Sequence, residues 1–224
     1  MNLKSHWDNS HEKHPERLES SAYAVDKEKS FPRNSVVCDL GGGDGADSLH
    51  FLKSGHKVYL FDISEVALEK ATEKVAKFGL GDELVTSLVN LNSMLIPTED
   101  NFFDVLYSRL SLHYFDKDRT TEILKDIYRV LKPGGIAFIA VKSPKDKKEM
   151  EWLENNNQKI GDGLYSEDGL LKSRFSEMQY KTILEKSGIN NFTINDYEEI
   201  FGDKKIYVKS GADKLQYLEI VINK

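Results

Sequence analysis

Two regimes of hydrophobic patterning divide the chain. Between Val36 and Val141, short apolar runs alternate with segments whose apolar residues recur at helical spacing. Val36 to Leu40 predicts a buried strand. Ala46 to Ser54 predicts a helix with Leu49 and Leu52 inward and Gly55 as its stop. Lys57 to Phe61 predicts a second strand. Ser64 then caps a helix in which Leu68, Ala71, Val75 and Phe78 keep the 3.6-residue period as far as Gly79. Leu84 to Val89 and Asp104 to Ser108 predict a third and a fourth strand. Asp118 is the expected cap of a helix carrying Ile123, Ile127, Val130 and Leu131, and Pro133-Gly134-Gly135 turns the chain into a fifth strand, Ile136 to Val141. Strand and helix alternating at this spacing predict a parallel sheet with helices on both faces.

The flanks follow other rules. Residues 1 to 30 are polar, with Trp7, Leu18, Tyr23 and Val25 as sparse apolar positions, and predict an arm of one or two short helices. Residues 142 to 175 carry no clear period and read as a lid or a loosely packed insertion holding Trp152, Tyr165 and Phe175. Beyond them Ser176-Glu177-Met178-Gln179 forms a capping box for a helix that runs to Gly188. Phe192 to Tyr197 and Leu215 to Ile222 predict two further strands. The expected architecture is an α/β domain over residues 31 to 224, with a doubly wound, mostly parallel, seven-stranded sheet behind an N-terminal helical arm.

Composition narrows the partners. A chain of 224 residues buries about 70% of its unfolded surface, enough for a full core. No apolar run approaches the about 18 residues of a membrane span, and MNLKSHWDNSHEKH has no apolar signal core, so no membrane partner is expected. The net charge of −6 gives no field for a polyanion, so no nucleic-acid partner is expected either. The local cluster Lys142, Lys145, Lys147 and Lys148, with Asp146 among them, reads as a solvated loop. The single cysteine, Cys38, sits in an apolar run as a small buried filler. Together these features predict a cytoplasmic protein, monomeric or homodimeric.

The chemistry concentrates at VVCDLGGGDG, Val36 to Gly45. Gly41-x-Gly43-x-x-Ala46 fits a dinucleotide fingerprint, with Asp62 downstream at the tip of the second strand. A nicotinamide-dependent oxidoreductase is one reading of that spacing. The charges of Asp39, Asp44 and Asp47 oppose it. A carboxylate about 5 Å from a phosphate costs on the order of 3 kcal/mol at an effective dielectric of about 20, against about 1 to 2 kcal/mol gained at a helix N-terminus. A nucleoside carrying a sulfonium and an ammonium suits an acidic loop better. Asp39 then attracts the cations, the glycines let backbone amides reach the carboxylate, and Asp62 accepts both ribose hydroxyls. S-adenosylmethionine has that description.

In five stretches the chain resembles the class I S-adenosylmethionine-dependent methyltransferases. VVCDLGGGDG is similar to their first motif, VYLFDIS (Val58 to Ser64) to the second-strand motif, and NSMLIP (Asn92 to Pro97) to the D-A-x-x-L-P stretch. FFDVLYSRLSLHYF (Phe102 to Phe115) and IYRVLKPGGIAFIAV match the fourth and fifth motifs. Together they span a little under half the chain. GADSLHFLKSGHKVYLFDIS also resembles the tellurite-resistance and thiopurine branch. The resemblance implies a Rossmann-like methyltransferase fold with S-adenosylmethionine as cofactor. It places Asp39 near the methionine ammonium, Gly41 and Gly43 against the ligand, and Gly45 in the turn. Asp62 falls on the ribose, Ile63 on an adenine face, and the Ser93 amide on a ring nitrogen. Asn92 stands where the family usually has Asp, as acceptor for the adenine amino group without charge assistance. Ser108 and Arg109 begin the segment passing the methyl-donating end. Competing assignments remain: Asp39 as a structural acid, Asp62 as a helix cap, and Asn92 as an ordinary loop residue.

The implied activity is methyl transfer to a small-molecule acceptor; a non-catalytic S-adenosylmethionine-binding module is the alternative. Ser108-Arg109-Leu110-Ser111 lacks the N-P-P-Y type of sequence that accompanies methylation of a flipped base. No carboxylate cluster stands near residues 107 to 113, and His11-Glu12-Lys13-His14 is one residue short of H-E-x-x-H, so no metal is expected. His113 is the candidate general base, against a packed histidine in the next turn. Trp7 is the candidate cover for the methionine or acceptor end, against an ordinary packing anchor.

Overall fold

The computed structural model describes residues 2–200 and 214–224. Five strands run parallel: β1 (Val36–Leu40), β2 (Lys57–Asp62), β3 (Leu84–Leu88), β4 (Phe103–Arg109) and β5 (Leu131–Lys142). Further on, β6 (Gln158–Gly161), β7 (Leu164–Glu167) and β8 (Leu170–Ser173) form a separate three-stranded antiparallel sheet. β9 (Phe192–Ile200) and β10 (Lys214–Asn223) complete the main sheet, with β10 antiparallel to both β5 and β9. The order β3-β2-β1-β4-β5-β10-β9 makes the expected seven-stranded, mostly parallel sheet, and it reverses direction between β1 and β4. That reversal opens a crevice at the carboxyl ends of the central strands.

Side-chain alternation along β1 feeds both layers. Val37 packs with Leu49, Phe51 and Leu52 of α3 (Ala46–Lys53) and with Tyr23 of α2 (Ala22–Glu28). Cys38 and Leu40 face the other way, onto Ile123, Leu124 and Ile127 of α5 (Lys117–Val130) and Leu184 of α7 (Glu177–Lys186). Cys38 is fully buried and free, the filler its apolar setting predicts. Ser64 caps α4 (Glu65–Ala76), its hydroxyl accepting from the Ala67 amide at 3.1 Å. Ser176 and Gln179 form the reciprocal capping box at α7.

Some expectations need correction. Asp116, not Asp118, caps α5: its backbone is extended and its carboxylate accepts from the Arg119 amide at 2.8 Å. Asp118 lies inside the first turn, where its charge faces the positive end of the helix dipole. Pro133-Gly134-Gly135 interrupts β5 rather than preceding it. Phe103 pairs with Leu131 and Val105 with Ile136, so the excess residues bulge out through Gly134 at φ +79°. Residues 142 to 175 form α6 (Lys147–Asn156) and the small sheet; Tyr165 is buried there and Phe175 is buried in the main core, neither of them loosely packed. Four-residue strands are too short to show a period. Of the lysine cluster, Lys145, Lys147 and Lys148 are exposed as expected, while Lys142 is half-buried and pairs with Glu149 at 2.6 Å.

Candidate active site

The crevice is a cavity of about 990 Å³, counted to its open mouth, between the ends of β1, β2 and β4 and the helix α1 (Leu3–Lys13). Its floor is the glycine loop. Gly41 (φ +73°) and Gly43 (φ +59°) both line it in the left-handed region that glycine tolerates. A Cβ at Gly41 would stand 2.1 Å from Ser111 Oγ, so the loop and the segment after β4 meet at backbone distance. The Gly41 and Gly43 amides do not face the cavity as free donors. Gly41 N–H donates to Phe61 O at 2.7 Å, and Gly43 N–H to Asp62 Oδ2 at 2.9 Å. The glycines supply room, and the Gly43 amide orients Asp62.

Asp62 ends β2 on the cavity wall. Its Oδ1 accepts from Ser64 N–H at 2.9 Å, so amides pin both oxygens. Burial raises its carboxyl above the usual range, while the Ser64 and Gly43 amides and the nearby His11 oppose the shift. Ile63 lines the same wall. Asn92 does too, and its N–H and Nδ2 both donate to Asn90 Oδ1, at 3.0 and 3.3 Å. That leaves the Asn92 amide oxygen as the acceptor end of the side chain. Asn90, which the sequence reading missed, builds this turn. The Ser93 amide donates to Asn90 O at 3.0 Å within the turn, and Ser93 is off the cavity wall. Its expected contact with a ring nitrogen is therefore withdrawn.

Two further assignments change. Ser108 is fully buried and donates to Leu40 O at 2.8 Å, tying β4 to β1 rather than reaching the cavity. His113 follows in the short 3-10 turn Leu112–Tyr114, 1% exposed and off the wall. Its imidazole is held well below the usual range, chiefly by burial and then by Arg174, Lys142 and Lys172. A neutral imidazole fits proton removal, but its place behind Tyr114 does not. The wall at this end is made instead by Arg109, Leu110, Ser111 and Tyr114. Leu110 sits at φ +57°, a strained conformation for a branched residue, and its amide is anchored to Ala140 O at 2.8 Å.

The roof is the arm. Leu3, Trp7 and His11 recur every fourth residue along α1 and line the cavity together. Trp7 stands edge-on to Tyr114 with ring centroids 5.0 Å apart. Asp8 accepts from Ser64 Oγ at 2.8 Å, and Lys70 donates to His11 O, so α1 is fastened to the start of α4. His11 and Arg17 went unrecognised as cavity residues in the sequence, although the four-residue spacing from Trp7 is a readable signal for His11.

The carboxylates of the acidic loop are engaged within the protein. Asp44 accepts from Arg17 Nη2 at 2.8 Å and lies 3.3 Å from Lys74 Nζ, and these cations hold its carboxyl below the usual range against burial. Asp47 accepts from Ser21 N–H at 2.7 Å and from the Tyr107 hydroxyl at 2.8 Å. Asp39 lies beneath Gly42, 1% exposed and off the cavity wall, and accepts from Ser48 Oγ at 2.6 Å. Burial, with Asp47 adding, pushes its carboxyl up to about 7. Asp62 is the carboxylate facing the cavity, and Arg17 and Arg109 face it as cations. Repulsion of a diphosphate by an anionic cradle is therefore not the argument for the cofactor.

The class comes from fold and sequence together. Residues 37–135 match the family model described as "Methyltransferase domain". Over 107 residues the chain is 36% identical to the ubiquinone/menaquinone biosynthesis C-methyltransferase UbiE of Pectobacterium carotovorum, covering 46% of this chain and 41% of that one. It is 32% identical over 139 residues to the sterol 4-C-methyltransferase strm-1 of Caenorhabditis elegans, covering 60% and 40%. The chain thus spans about 40% of the length of these curated relatives. Among solved structures, the Burkholderia thailandensis 1,6-didemethyltoxoflavin-N1-methyltransferase, with its substrate and S-adenosylhomocysteine bound, superposes with a TM-score of 0.70 at 20% identity. That match covers 99% of this chain and 87% of that one. The matched segment is similar to a methyltransferase domain, and the fold is shared with the solved methyltransferase structure. The finer resemblance to the tellurite-resistance and thiopurine branch gains no support from these relatives.

Proposed function

We propose that the protein transfers a methyl group from S-adenosylmethionine to a small-molecule acceptor. The observation that carries the reading is Asp62: a carboxylate at the tip of β2, pinned on both oxygens and facing a glycine-floored cavity under the arm. Such a carboxylate accepts a pair of ribose hydroxyls without first paying to order its side chain. Ile63 and Leu91 pack the adenine, and the Asn92 amide oxygen accepts from its amino group. Arg17, on the wall beside Gly43, meets the methionine carboxylate. S-adenosylmethionine supplies an activated methyl group when bound. Trp7 and Tyr114 exclude water above it, and the Leu110–Ser111 backbone limits the approach of the acceptor. Transfer to an already nucleophilic atom depends on alignment more than on a base, which suits a wall that does not include His113.

Isothermal titration with S-adenosylhomocysteine tests the cofactor site, and binding in the micromolar range is expected. No binding at millimolar ligand overturns the proposal. Methyl transfer to members of an acceptor panel tests turnover. Cofactor-product binding with no turnover on any acceptor would favour the non-catalytic module.

A further inference from the structure

Behind Tyr114 lies a buried cluster that the cofactor cavity does not use. Lys142, at the end of β5, and Arg174, just past β8, both donate to the same oxygen, Glu149 Oε1, at 2.6 and 2.7 Å. Two positive charges thus share one carboxylate. Lys172 is paired separately with Glu167 at 2.6 Å. Arg174 is 3% exposed and Glu149 2%. Arg174 Nε and both ring nitrogens of His113 are buried without a hydrogen-bond partner. A buried guanidinium with an idle N–H beside a surplus positive charge is costly, and an anion placed there repays it.

The cluster adjoins the cavity through one layer of side chains. The Tyr114 ring lies 4.3 Å from that of His113, and Tyr114 and Leu170 both line the cavity. From Leu170, β8 leads directly to Lys172 and Arg174. The Tyr114 hydroxyl and the His113 imidazole both lie within the electrostatic reach of Arg174. We propose that this cluster seats the anionic end of the methyl acceptor, a carboxylate held by Arg174, Lys142 and His113, with the acceptor's nucleophile left in the cavity beside Tyr114. A single uncompensated charge matches a monoanion, and the free edge of a guanidinium matches the geometry of a carboxylate. The inference rests on the methyl-transfer reading and adds the substrate class: a small carboxylic acid.

The test uses the full chain saturated with S-adenosylhomocysteine, whose binding is measured first. Failure of that binding counts against the methyl-transfer reading alone, because the acid titration can be run without it. Acetate and benzoate are then titrated against acetamide and benzamide, with the His113 ring nitrogens followed by NMR and assigned from a His113→Gln spectrum. The acids should shift the His113 resonances and the amides should not. Arg174→Gln should weaken acid binding about tenfold, and Lys142→Gln serves as the second variant should Arg174→Gln fail to fold. Equal response to acid and amide overturns the proposal. So does a His113 signal unmoved by either acid at millimolar concentration, or acid binding indifferent to the variants.

Discussion

Single side chains carry most of the cofactor site. Asp62→Ala removes a carboxylate fixed by two amides and should weaken S-adenosylhomocysteine binding by about 1.5 to 3 kcal/mol in calorimetry; unchanged affinity would exclude Asp62 from the ribose. Gly41→Ala puts a Cβ 2.1 Å from Ser111 Oγ and 2.4 Å from its Cβ, at φ +73°, so a lowered melting temperature is expected, partly restored by Ser111→Gly. Asp39 titrates near 7 in the folded chain, far above its unfolded value, because burial disfavours its charge. The folded state therefore binds the proton more tightly. The stability that this provides is complete below about pH 4 and is lost as the pH rises through about 7. Asp39→Asn should flatten the stability profile across that window, read by denaturant unfolding at a series of pH values. At this scale Asp62 and Gly41 were legible as candidate site residues, since each stands at a strand tip or in a glycine turn, and both line the cavity. The charge states of Asp39 and Asp44 were not, since burial and distant cations set them.

Elements show where periodicity stops being informative. The strands and helices between Val36 and Val141 follow their pattern because each packs one face on a common sheet. The arm is mostly polar, yet α1 roofs the cavity with Leu3, Trp7 and His11, fastened by Asp8 to the start of α4. Asp8→Ala should leave the melting temperature of the core almost unchanged. It should also speed S-adenosylhomocysteine release several-fold in stopped-flow fluorescence, with the arm less firmly closed; an unchanged off-rate would mean that the arm does not gate the site. The insertion was legible only as irregular sequence, because its four-residue strands pair with one another in a separate sheet and are too short to show a period.

For the molecule as a whole, cofactor binding and folding are linked. The arm, β1, β2 and the segment after β4 all border the cavity, so a ligand there stabilises all four at once. S-adenosylhomocysteine at a hundred times its dissociation constant should add about 2.7 kcal/mol, seen as a melting-temperature rise of about 5 to 11 °C for a chain of this size. Among the described residues, no helix is long and apolar enough to cross a membrane, and no group of three or more His, Cys, Asp or Glu side chains is placed to hold a metal ion.

The order of elements, the parallel sheet, the glycine floor and the carboxylate at the end of β2 were determined by the sequence, because each is a local matter of period, turn chemistry and position along a strand. Only the tertiary structure decided that Arg17 and Lys74 neutralise Asp44, that Asp39 lies under the loop, and that Ser93, Ser108 and His113 turn away from the cavity. Those outcomes depend on groups brought together from distant parts of the chain, whose separation in sequence leaves no local pattern to read.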